Sequence, residues 1–140
     1  MSIKAFELSA IDGRRFSKTG EKIGNVRIDH NSTVTLITEL NNKEANIDFR
    51  FTANYSGLGF IKIEGRIVLE CDAPALARNW ASTNQMPDEV ANEIHRVIIT
   101  NCIPEAVLVA KEIRLPPPVP LPQINVKAGK MKPSSGIEVA

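Results

Sequence analysis

The chain lacks the residue patterns through which small proteins most often do chemistry. Along its 140 residues there is no glycine-rich phosphate loop, no nucleophile elbow and no set of metal-ligand spacings, so the sequence is read as non-catalytic, with no cofactor and no metal. It has only two cysteines, Cys71 and Cys102. They are too few for a disulfide framework, and neither sits in a CxxC or Cys/His spacing, which leaves reduced core thiols as the reading. The start, Met1-Ser-Ile-Lys-Ala-Phe-Glu-Leu, lacks the basic stretch followed by an apolar run that marks a secretory leader. No segment reaches the roughly 18 apolar residues that a membrane span requires. These absences predict a soluble, cytoplasmic protein. Net charge is scarce too: 17 basic against 16 acidic residues give no field that would favour a nucleic-acid partner.

What is present is a chain long enough for one domain, able to bury roughly two thirds of its unfolded surface. Its first half alternates. Ile47, Phe49, Phe51, Ala53 and Tyr55 interleave with Asp48, Arg50, Thr52 and Asn54, the period-two pattern of a half-buried strand. Ser56-Gly57-Leu58-Gly59 supplies a turn, and Ile61, Ile63, Ile67, Leu69 and Cys71 continue the pattern, so the two runs predict an antiparallel hairpin. Gly65 inside the second run points to a bulge or to close contact with a packed helix. Upstream, Val34, Leu36 and Leu40 alternate with Thr33, Thr35 and Glu39, and Asn41-Asn42-Lys43-Glu44 forms the turn into the hairpin. Phe6, Leu8 and Ala10 indicate a first strand, read as interrupted at Asp12-Gly13. Residues 17–25 read as a loop or crossover. Four antiparallel strands, consecutive in sequence and apolar on one face, need a cover.

The second half provides it. Pro74 fits the first turn of a short helix carrying Leu76 and Trp80. Pro87, Asp88 and Glu89 mark a new start, with carboxylates at the positive end of the helix dipole. Val90, Ile94, Val97, Ile98 and Cys102 then recur at helical spacing, and nearly every residue from Ala106 to Ala110 is apolar. A helix that is apolar on more than one side needs a second neighbour, most simply another subunit, and Val97, Ile98, Val107 and Leu108 are the candidate contacts. Pro104 marks a kink, or a break with a new first turn. The helix must end before Leu115-Pro-Pro-Pro-Val-Pro-Leu-Pro122, an extended rod that packs against something or docks into something. Residues 127–140, with Lys127, Lys130 and Lys132, read as a disordered basic tail.

Three places carry a resemblance to the SecB family of export chaperones. They are Ile63-Glu64-Gly65-Arg66-Ile67, the pair Cys102-Ile103-Pro104-Glu105 with Ala110-Lys111-Glu112, and Leu115 to Ile124. The chain is most similar to compact archaeal-type members, without the lid helix and acidic C-terminus of the longer ones. The resemblance implies an α+β fold with a four-stranded antiparallel sheet over residues 1–126, covered by a long helix after a shorter one. It also implies dimers or tetramers, and ATP-independent binding of unfolded or partly folded polypeptide in apolar grooves, the work of a holdase in protein transport. Phe6, Leu8, Val119, Leu121 and Ile124 are the candidate polypeptide-binding residues.

Other readings stand beside it. His95 and Cys102 lie seven positions apart, about 10 Å along a helix and beyond hydrogen-bond reach, so they read as a partly buried histidine and a core thiol. His30, beside Asp29, reads as a surface residue at a strand end. Arg114, Pro117 and Pro120 have the spacing of a ligand for SH3-type grooves. The alternative function is therefore a non-catalytic oligomeric scaffold, or an adaptor that binds one folded partner through the proline-rich segment.

Overall fold

The computed structural model describes residues 2–16 and 26–119. Four strands, β1 (Ser2–Arg15), β2 (Ile28–Asn41), β3 (Glu44–Tyr55) and β4 (Gly59–Glu70), precede two helices, α1 (Ala73–Thr83) and α2 (Asp88–Glu112). This is the α+β arrangement expected from the sequence, with the helices on one face of the antiparallel sheet. The sheet order is β1-β4-β3-β2. The strands therefore do not follow one another across the sheet, because β1 lies beside β4 and forms the edge opposite β2. Residues 17–25, read as a loop or crossover, lie outside the described residues. Both of their flanks are tied to the β3–β4 turn: Phe16 N donates to Leu58 O at 2.7 Å, and Ser56 N to Arg27 O at 3.0 Å.

The alternation of β3 and β4 sorts the two faces. Ala45, Ile47, Phe49, Phe51, Ala53 and Tyr55 of β3 are buried, as are Ile61, Ile63, Ile67 and Leu69 of β4. Their partners across the sheet follow the register Ile47↔Ile67, Phe51↔Ile63 and Ala53↔Ile61. The opposite face is polar. There Arg66 bridges three strands, donating from Nε to Glu7 Oε1 of β1 at 2.8 Å and from Nη1 to Asn46 Oδ1 of β3 at 2.9 Å. Such an exposed ion pair contributes at most about 1 kcal/mol.

β1 runs unbroken through Asp12-Gly13, contrary to the expected interruption, and Gly13 pairs with Ile61. A β-carbon at Gly13 would come within 2.6 Å of Val109 Cγ1 and 3.3 Å of Ile113 Cδ1 on α2. The glycine admits the helix where a turn was expected. Gly65 also serves close approach, but towards β1 and not towards a helix. A β-carbon there would collide with the Glu7 carbonyl and lie 2.9 Å from the Phe49 ring, beside the irregularity in β1 between Leu8 and Ala10.

α1 opens on Asp72, whose Oδ1 accepts from Ala75 N at 3.3 Å, with proline in the first turn. It closes on Asn84 in the left-handed conformation, with Asn84 N bonded to Trp80 O at 2.8 Å. α2 continues through Pro104 without the break that was one of the expected outcomes. Pro104 and Thr100 are both exposed, so the Thr100 carbonyl that loses its helical partner can be met by water, which lowers the cost of an interior proline. Ile94, Ile98, Cys102, Ala106 and Ala110, every fourth residue, are buried along the stripe that faces the sheet. Within the described residues no helix is long and apolar enough to cross a membrane.

Candidate functional site

Three surfaces bear on function: the open face of β1, the strap that follows α2, and a cleft at the joint between the helices. The first comes from the register. Ile3, Phe6, Leu8, Ile11 and Gly13 pair with the inward residues of β4, so their side chains share the face on which the helices lie. α2 crosses β3, β4 and β2 and meets β1 at the strand's end, at Gly13. Ile3, Phe6 and Leu8 are accordingly only half-buried, packed on one side against the core, and Ile11 is 47 % exposed. Phe6 stacks on Phe49 with ring centroids 5.3 Å apart, an arrangement that fixes both rings. Among the described residues β1 pairs only with β4, so its outer backbone groups have no strand beside them. A half-open apolar row next to an unpaired edge is the arrangement that receives an extended peptide.

The strap is the beginning of the proline run. Leu115 is 5 % exposed and Pro118 is fully buried. Three side chains take its carbonyls: Arg15 reaches those of Ile113 and Arg114, Tyr55 Oη donates to Pro116 O at 2.6 Å, and His30 Nε2 to Pro118 O at 2.6 Å. The strap thus runs from β1 across β3 to β2, over one end of the sheet. The carbonyl at Pro118 requires a proton on His30 Nε2, which sets the ring's tautomer. His30 is therefore a strap anchor at the strand start. Burial pushes the Tyr55 phenol up to about 12. Of the docking motif, Pro117 is exposed while its neighbours on both sides pack inward, and Pro120 lies outside the described residues.

These positions separate the expected binding residues. Phe6 and Leu8 lie on β1, whereas Val119, half-buried, follows Pro118 at the β2 side. Three strand spacings, about 14 Å, divide them, so the structure does not join them in one groove. Leu121 and Ile124, and the tail at 127–140, lie outside the described residues. The expected subunit contacts divide as well. Ile98 has no accessible surface and Val97 is 8 % exposed, both within the core cluster. They already face the sheet and have little left for another chain. Val107 is half-buried, while Leu108 and Ile99 are 58 % and 43 % exposed on opposite sides of α2.

The cysteines behave as core thiols to different degrees. Cys102 is buried, and burial, with Glu105 second, holds its thiol up at about 12. Cys71 is half-buried, and its thiol is raised by burial first and Asp72 second. His95 does not pair with Cys102. Its Nδ1 lies 2.7 Å from Ser32 Oγ of β2, a contact across 63 residues that helical spacing had no means of revealing.

That pair borders an open cleft of about 420 Å³ between β2 and the joint of α1 with α2. Trp80 and Met86 line it opposite Ser32 and Val34, and Asp88 stands at the start of α2. Among the described residues, no group of His, Cys, Asp and Glu side chains is arranged to hold a metal. No family model matches the chain, and neither a curated protein nor a solved structure matches it.

Proposed function

We propose that this protein binds unfolded or partly folded polypeptide without nucleotide turnover, as a SecB-like holdase acting in the cytoplasm. The observation that carries the reading is the face of β1, where Ile3, Phe6, Leu8 and Ile11 stay half-open beside an unpaired strand edge. An unfolded chain offers apolar side chains and unsatisfied backbone groups together, and this edge has a counterpart for each. No reacting group is needed for such work. The test is suppression of aggregation of several unrelated unfolded proteins, at stoichiometric amounts and without ATP. Replacing Phe6 and Leu8 together by serine should weaken suppression several-fold while leaving the chain folded. Absence of suppression by the unaltered protein for every client would end the proposal.

A second reading, a non-catalytic oligomeric scaffold or an adaptor for one folded partner, is favoured by Leu108, 58 % exposed on α2 beside the half-buried Val107. A leucine left this open on a rigid helix suits a fixed interface better than a transient client. Sedimentation separates the two: under this reading Leu108→Glu should lower the mass of the assembly, while a wild-type monomer would exclude the oligomeric form.

A further inference from the structure

The cleft lies at the joint where the chain passes from α1 to α2. Asn84 caps α1 in the left-handed conformation at φ 55°, and α2 begins four residues later at Asp88. The joint brings the half-buried Trp80 and the exposed Asp88 to the lining of one opening. Ser32 and His95 hold each other at 2.7 Å at its border, so one ring nitrogen of His95 is already engaged. No lysine or arginine lines the cleft. Among the described residues no ion pair engages Asp88. The start of α2 would by itself favour an anion, but Asp88 and Glu89 in its first turn already answer that dipole.

From this arrangement we infer that the cleft binds a small organic cation through an ammonium or guanidinium group. The indole face attracts a cation through its quadrupole. The Asp88 carboxylate supplies the opposite charge, and Val34 and Met86 give apolar cover for methyl or methylene groups. A volume of about 420 Å³ lies within the range of small-molecule sites. The inference concerns a site apart from the β1 face and does not depend on polypeptide binding there.

The chain has a single tryptophan, so its fluorescence reports on this cleft directly. The full chain is titrated with choline, with agmatine, with the uncharged carbon isostere dimethylbutanol and with inorganic phosphate. A saturable change is expected for the two cations, with affinity in the millimolar range, and none for the neutral isostere or for phosphate. Asp88→Asn should weaken cation binding about two- to fivefold and lower the thermal midpoint by no more than a few degrees, the share of the carboxylate that answers the helix dipole. Chemical shifts of the Asn84 and Gln85 side-chain amides provide the readout for Trp80→Phe, in which the response should also weaken. An equal response to dimethylbutanol, saturable binding of phosphate, full affinity in Asp88→Asn, or no saturation with either cation would overturn the inference.

Discussion

The two outer strands are alike in sequence pattern and opposite in circumstance. β1 and β2 are both fourteen residues long, and each pairs with a single inner strand. On β2 the inward side chains are claimed in turn. His30 holds the strap, Ser32 holds His95, and Val34 and Ile37 are buried at 8 % and 4 % exposure where α1 packs. On β1 the matching row of Ile3, Phe6, Leu8 and Ile11 is met by α2 only near the far end. Alternation says which face a residue joins. Whether that face is then closed depends on where the helices cross, and here α2 crosses the sheet away from β1. The inward face is closed at β2 and left open at β1.

The most disruptive way to break this contrast is at Phe49, which lies in the core and carries Phe6 on its ring. Phe49→Ala should cost about 3–5 kcal/mol and loosen β1 along with the core, seen as a lower urea midpoint and faster amide exchange in β1. Retention of wild-type exchange in β1 would mean that its order does not depend on the stack. Gly13→Val comes next. It forces a side chain into the space of Val109 and Ile113, and should cost about 1–3 kcal/mol by overpacking while prising α2 from the one place it meets β1. Urea unfolding measures that cost, and wild-type stability would show that α2 gives way freely.

The strap gives a smaller effect. Tyr55→Phe removes the hydroxyl donor to Pro116 O and should cost about 1 kcal/mol. Its alkaline behaviour is more telling. Burial raises the Tyr55 phenol from 10.0 to about 12 and the Cys102 thiol from 9.0 to about 12. The unfolded chain therefore ionises first. Stability linked to these groups is complete below pH 9 and is lost as pH rises from there towards about 12. Thermal midpoints of the double variant Tyr55→Phe, Cys102→Ala should fall less steeply across that window than those of the wild type. Parallel slopes would sink the assignment.

The sequence carried the inner hairpin almost completely, since Ile47 to Tyr55 and Ile61 to Leu69 are buried on both sides of their pairing and keep strict alternation. Both helix starts were legible in Pro74 and in Pro87-Asp88-Glu89, because capping is a local matter. The unbroken course of β1 was not. Gly13 exists for Val109 and Ile113, roughly a hundred positions away, and from its neighbours alone it looks like a turn. The placement of β1 beside β4 was hidden for the same reason, as strand order depends on pairings at long separation. Of the candidate surface, Phe6 and Leu8 could be read from alternation. The distance between them and Val119 could not, nor could the cleft around Trp80, whose walls come from three separate elements. The comparison of edges also locates what the pattern left open: both outer strands show the same signal, and only tertiary contacts tell them apart.

The strap has a consequence for the order of folding. Its two bonds to the strands join residues 61 and 88 positions apart, and the contacts with Arg15 span 98 and 99. Loops of that length close only after the sheet and α2 have already brought their ends together. The strap is then the last piece to seat and the first to leave. Native-state exchange should find the amide of Leu115, bonded to Ala110 O at 2.9 Å, opening ahead of those in β3. Equal protection of the two would instead make the strap part of the cooperative core.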